Sequence, residues 1–77
     1  MDLDRITVEP GKMDGQPCIR GMRFPAATVV RMVAGGMSTA EIIEEHPDLE
    51  AEDVHQALFY VAEMVSHERS LPVKRSA

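Results

Sequence analysis

Ser38-Thr39-Ala40-Glu41-Ile42-Ile43-Glu44-Glu45-His46-Pro47-Asp48-Leu49-Glu50-Ala51-Glu52-Asp53-Val54 holds a helix start, a helix stop and a second helix start in one short run. Ser38 followed by Glu41 is a capping box: the hydroxyl serves the backbone N–H of residue 41, and the carboxylate reaches back to that of residue 38. Ile42 and Ile43 give this helix its buried side, with Met37 packing nearby. Pro47 disfavours helical backbone at the residue before it, so the helix ends near Glu45 or His46. Pro47-Asp48-Leu49 is then a turn, and a long helix runs from about Ala51 to His67. Its apolar residues Val54, Leu58, Val61 and Val65 recur at i, i+4, i+7 and i+11, with Ala57 and Met64 widening the stripe. Glu50, Glu52 and Asp53 stand at its start, where the helix dipole favours negative charge. Two helices joined this tightly form a helix-turn-helix arrangement.

Working outward, Gly35-Gly36 supplies the left-handed stop of a preceding helix. That helix spans Ala26 to Ala34, opens on Pro25, and carries Ala26, Val29, Val30 and Val33 at helical spacing. Further back the pattern changes to short extended pieces. Arg5-Ile6-Thr7-Val8 alternates polar and apolar and reads as a strand closed by Pro10-Gly11. Met13 to Gly15 reads as a turn, and Gln16 to Arg20 as a second, edge or irregular strand limited by Pro17. The fold class is therefore mostly α: a short N-terminal β-element followed by a three-helix bundle with a helix-turn-helix arrangement. The expected organisation is one domain over residues 1–68 and a basic tail over residues 69–77.

A chain of 77 residues buries little apolar surface. At roughly 25 cal/mol per Å², burial barely offsets about 1.5 kcal/mol of ordering cost per residue. Cys18 is the sole cysteine, so no intrachain disulfide is available. No Cys/His group has zinc-ligand spacing, and no metal or other cofactor is expected. Association is the remaining route to stability, so a homodimer or a tight complex is expected, built through the N-terminal strands or the long helix. The acidic N-terminus lacks the basic start and apolar run of a signal peptide, and no stretch reaches the ~18 apolar residues of a membrane span. A cytoplasmic location without membrane attachment is the expectation.

The net charge of −5 conceals a segregation. Residues 1–36 hold five basic and four acidic side chains, residues 37–68 hold nine carboxylates and no Lys or Arg, and residues 69–77 hold Arg69, Lys74 and Arg75. Each part must therefore seek a different kind of surface.

Three motifs carry a family resemblance: Gly15-Gln16-Pro17-Cys18-Ile19-Arg20-Gly21-Met22-Arg23-Phe24-Pro25; Ala34-Gly35-Gly36-Met37-Ser38 leading into Glu41-Ile42; and Leu49-Glu50-Ala51-Glu52-Asp53-Val54 followed by Ala57-Leu58 and Tyr60. Together they resemble the domain of unknown function 433 family, antitoxin-like proteins of bacteria and archaea, over roughly Arg5 to Glu63. The first corresponds to that family's Gly-x-Pro-x-Ile-Arg-Gly-Thr-Arg signature and is the most specific part. The chain departs from the pattern at Met22 and at Glu50, where the family usually has Thr. Glu is a poorer N-cap than Thr, which leaves Asp48 as an alternative cap. The resemblance implies a homeodomain-like helical fold. It also implies genetic pairing with a PIN-like ribonuclease toxin, in the manner of VapB-type antitoxins.

From the residues themselves, DNA binding through the long helix has the wrong sign. A recognition helix puts its first residues into the major groove. Here those residues are Glu50, Ala51, Glu52, Asp53, His55 and Gln56, and the unit lacks the cations on which phosphate affinity rests. The bland reading is a solvated acidic face. A better DNA-facing candidate is a basic surface of Arg5, Lys12, Arg20, Arg23 and Arg31, doubled in a dimer. Against it, Arg20 and Arg23 lie in a Gly-rich turn, where a guanidinium commonly holds carbonyls or a carboxylate. Gly15, Pro17, Ile19, Arg20, Gly21 and Arg23 are then structural, with Gly15 and Gly21 serving turns where a Cβ would clash.

The basic tail is the candidate toxin contact. Arg69, Lys74 and Arg75 frame Leu71-Pro72-Val73, a segment able to dock by strand addition or apolar anchors, with a cation opposing the acidic cleft of a metal-dependent ribonuclease. An ordinary solubilising terminus is the competing reading. Enzymatic chemistry is not expected. His46, His55 and His67 lack the i, i+4 spacing of a helical metal site. Cys18 suits a small buried thiol. Glu44-Glu45 and Glu52-Asp53 are helix neighbours that do not face each other and read as surface charge. The expected function is thus an antitoxin-like protein that binds and occludes a PIN-like ribonuclease. DNA-binding regulation through the N-terminal basic surface, or plain dimerisation, are the alternatives.

Overall fold

The computed structural model describes residues 2–66. Its elements in order are strand β1 (Ile6–Thr7), a 3₁₀ turn (Met13–Gly15), strand β2 (Cys18–Ile19), and helices α1 (Ala26–Ala34), α2 (Thr39–Glu45) and α3 (Ala51–Val65). The chain is mostly helical, with a two-stranded element ahead of three helices, as the periodicity indicates.

The two strands pair antiparallel, with Ile6 opposite Ile19 and Thr7 opposite Cys18. Both are shorter than the alternation suggests. Pro17 brings no N–H to β2, and the chain reverses directly after it. Ile19 accepts from the Met22 N–H (2.8 Å) across a tight turn, and its own N–H donates to the Phe24 carbonyl (2.9 Å). The central residues of that turn, Arg20 and Gly21, have φ of +44° and +72°. That pair of signs belongs to the hairpin turn whose twist matches its flanking strands. Gly21 is suited by its freedom at positive φ; a Cβ there would meet only the Glu9 carboxylate at 3.5 Å, and one on Gly15 only a carbonyl at 4.0 Å. Dihedral freedom, not a clash, is the reason for both glycines.

Helix α1 ends in a Schellman motif. The Met37 N–H donates to the Met32 carbonyl (3.1 Å) and the Gly36 N–H to that of Val33 (3.0 Å), with Gly36 at φ +101°. The next helix begins at once. Ser38 Oγ accepts from the Glu41 N–H at 3.1 Å, and Glu41 Oε1 accepts from the Ser38 N–H at 2.8 Å. Met37, at the position before this cap, packs against the same core as Ile42, the arrangement of a hydrophobic staple. Helix α2 stops at Glu45, two residues before Pro47.

The core is small: Ile19, Ala26, Val29, Ile42, Leu49, Val54 and Ala57, ringed by Ile6, Met22, Phe24, Val30, Met32, Val33 and Met37. Leu49, in the turn between α2 and α3, is one of its largest fully buried side chains. Helix α3 lies mainly on α1, with lesser contacts to α2 and β1. Ile43, expected beside Ile42 on the buried side, is only half buried. No helix among the described residues is long and apolar enough to cross a membrane.

Candidate functional site

The first turn of α3 is where the N-terminal motif meets the helical half of the chain. Asp53 is fully buried, 0 % exposed, at the third position of the helix. The Arg20 guanidinium grips it from the hairpin turn, Nε on Oδ1 at 3.0 Å and Nη2 on Oδ2 at 2.8 Å. The same Nη2 donates to the Asp48 carbonyl at 2.7 Å. From just before β1, Arg5 Nη1 donates to Asp53 Oδ1 (3.1 Å) and to Glu50 Oε1 (2.6 Å). Asp53 Oδ2 also accepts the Glu50 N–H at 2.8 Å, which caps the helix start. Gln56, buried one turn on, accepts the Arg5 N–H (3.0 Å) and donates to Asp4 (2.9 Å) and Glu52 (3.2 Å).

Each buried side-chain polar atom among the described residues has a partner, which is the condition for tolerating charge in a core. Burial by itself would raise the Asp53 carboxyl. The Arg20 guanidinium, the Glu50 N–H and Arg5 outweigh that effect and hold it below the usual carboxylate range. A non-glycine residue at positive φ is uncommon and strained. At Arg20 the two-pronged grip on Asp53 sets against that strain an ion pair with one partner wholly out of water.

Two expectations change. Asp53 is not a solvated surface charge beside Glu52; it is the anchor of the β-element on α3. Asp48 does not cap α3; Glu50 occupies the N-cap and the Asp53 carboxylate satisfies its N–H. Of the five cations read as a DNA-facing surface, three are engaged within the chain. Arg5 and Arg20 are held as described, and Lys12 Nζ donates to Glu9 (3.0 Å) and to the Gly21 carbonyl. Arg23 and Arg31 are exposed. The spacing of Glu50 and Asp53 was the available signal for the cap, since it places a carboxylate at the third helical position, as in α2. Nothing in the local sequence pairs Asp53 with residues 33 and 48 positions away.

The remaining motif residues divide by role. Pro17 offers its carbonyl to the Ala26 N–H at 2.8 Å, which fixes the entry to α1. Thr7 Oγ1 accepts the Gly21 N–H at 2.9 Å and steadies the hairpin turn from β1. Cys18 is a buried free thiol, donating weakly to the Gln16 carbonyl at 3.4 Å. Arg23 lines an open cleft of about 450 Å³ with Met22, Phe24, Glu45, His46, Pro47 and Asp48. The Phe24 and His46 rings meet edge to face there, 5.1 Å apart. Among the described residues no group of three or more His, Cys, Asp or Glu side chains is placed to hold a metal ion.

The far end of α3 contrasts with its start. Val54 and Ala57 are buried, but Leu58, Met64 and Val65 are 36 %, 51 % and 52 % exposed. The apolar stripe therefore runs past the edge of α1 and α2, and its second half is not core. The proposed tail contacts, Arg69, Leu71, Pro72, Val73, Lys74 and Arg75, lie outside the described residues.

A two-stranded element clamped by ion pairs onto a three-helix body defines a small helical domain. The chain belongs to the DUF433 family: the model described as "Protein of unknown function (DUF433)" matches residues 6–61. It is 36 % identical over 55 residues to the uncharacterised protein y4eO of Sinorhizobium fredii (strain NBRC 101917 / NGR234), covering 71 % of this chain and 25 % of that relative. A crystal structure of a DUF433 member from Anabaena variabilis ATCC 29413 superposes with a TM-score of 0.76 at 32 % identity, over 82 % of this chain and 62 % of that one. The chain thus spans a quarter of the length of the curated relative it matches.

Proposed function

We propose that this domain works by gripping another protein, as the antitoxin-like partner of a PIN-like ribonuclease. The observation that carries the reading is the internal use of its cations. Arg5, Lys12 and Arg20 are tied to carboxylates and carbonyls of the same chain. A phosphate backbone would have to break the Asp53 cluster to reach two of them, and non-specific nucleic-acid affinity rests on free Lys and Arg. The α2–α3 unit, from residue 37 to residue 66, offers carboxylates and no Lys or Arg. Inhibition would come from steric and electrostatic occlusion, with no chemistry performed by this chain, and the tail beyond residue 68 is the proposed arm toward the toxin's acidic cleft.

Co-expression with a PIN-like ribonuclease encoded beside it tests the reading. Growth rescue and a co-purifying complex are expected, with affinity falling when Ser70 to Ala77 are deleted. Absence of both complex and rescue overturns toxin neutralisation. A salt-sensitive gel shift on its own promoter, weakened by Arg23→Ala with Arg31→Ala, would favour the DNA-binding alternative, since both arginines are exposed members of the proposed basic surface.

A further inference from the structure

We infer that the exposed second half of α3 is the seat of a second copy of this chain, packed antiparallel about a two-fold axis near Val61. Leu58 and Val65, with the half-buried Val61 between them, continue the line of Val54 and Ala57 at helical spacing, so the face that buries the core in the first turns is, among the described residues, largely exposed in the last. Exposed apolar groups aligned along one stripe are more than the scattered exposure every surface shows.

The charges around the stripe select the occupant. In an isologous contact each side chain near the axis meets its own copy, so a like charge there repels itself. From Ala57 to Val65 the sole charged residue is Glu63. At 3.6 residues per turn it falls on the side of the helix opposite Val61 and Val65. The stripe is therefore free of self-repulsion, and it offers no charge with which to recognise an acidic or basic partner. An antiparallel arrangement sets Leu58 against the partner's Val65 and Val61 beside the partner's Ala62, a small residue that lets the backbones approach. It also opposes the two helix dipoles favourably. The small core of each copy gives such a contact its use, because a domain with this few buried side chains is stabilised by association.

Sedimentation equilibrium of the full chain over a wide concentration range tests this. The expected result is a reversible monomer–dimer equilibrium, with mass rising from 8.5 kDa towards twice that value. Leu58→Lys and Val65→Glu each place a charge on the stripe at an exposed position, so far-UV circular dichroism should stay unchanged while dimerisation weakens at least about a hundredfold. Combining Leu58→Lys with Val65→Glu in one chain sets the new ammonium of each copy against the new carboxylate of the other and restores the dimer, whereas Leu58→Lys with Val65→Lys does not. A chain of 8.5 kDa at every concentration overturns the proposal. So does a dimer indifferent to either single charge, and failure of the opposite-charge combination overturns the antiparallel register. None of these readouts depends on a toxin, so the outcome is separable from that of the neutralisation test.

Discussion

The two halves of α3 follow one apolar rhythm and meet different fates. In the first half, Val54 and Ala57 close onto α1 and α2, and Asp53 beside them is drawn inward by Arg5 and Arg20. In the second half, Leu58, Met64 and Val65 keep the same spacing with nothing of the described chain over them. Periodicity reports which side of a helix is apolar; how far a covering surface extends is decided by the lengths of the neighbouring elements. Helices α1 and α2 have nine and seven residues against fifteen in α3.

The contrast predicts unequal sensitivity along the helix. Replacing Asp53 with Ala leaves two guanidiniums without their shared carboxylate and the α3 start without its cap. The lost charge-assisted hydrogen bonds and the lost cap cost about 2 kcal/mol, and in a domain this small that lowers Tm by about 10 °C; thermal denaturation measures it. At the start of α2, Ser38→Ala removes half of the reciprocal cap and should cost about 1 kcal/mol by urea denaturation. Leu58→Lys or Val65→Glu, at the bare end of α3, should change the stability of the isolated monomer by less than about 0.5 kcal/mol. An Asp53→Ala variant as stable as a Val65→Glu one would erase the distinction between the halves.

The pH dependence should carry the same signature. The Asp53 carboxyl is held below its unfolded value, and Glu41 is lowered too, chiefly by the Ser38 N–H. A depressed carboxylate contributes stability that is full above the unfolded pKa of about 3.9 and is lost as pH falls through the folded value. Acid unfolding below about pH 4 should therefore be shallower in Asp53→Asn than in the parent chain, once each is referred to its own stability at neutral pH. Equal slopes would remove Asp53 from the acid response.

Local punctuation explains which parts of this were legible. Ser38 with Glu41, Gly35-Gly36 and Pro47 act within a turn of themselves, and α1 and α2 begin and end where those residues put them. The resemblance in the Gly15–Pro25 motif likewise identified the family. The purpose of that motif was not legible, because Arg20 acts on a residue 33 positions away and Arg5 on one 48 away. Nothing in a charge count distinguishes a carboxylate awaiting such a partner from one facing water, so the sequence groups Asp53 with Glu52.

The central claim is that Arg20 is committed to Asp53 and accepts a strained backbone to reach it. Its most direct test is the stability effect of Arg20→Gly in two backgrounds. In the parent chain the glycine relieves φ +44° but forfeits the ion pair, and stability should fall. In the Asp53→Ala background only the bond to the Asp48 carbonyl is left to lose against that relief, and the same substitution should cost far less or raise stability. A loss of equal size in both backgrounds would contradict the account.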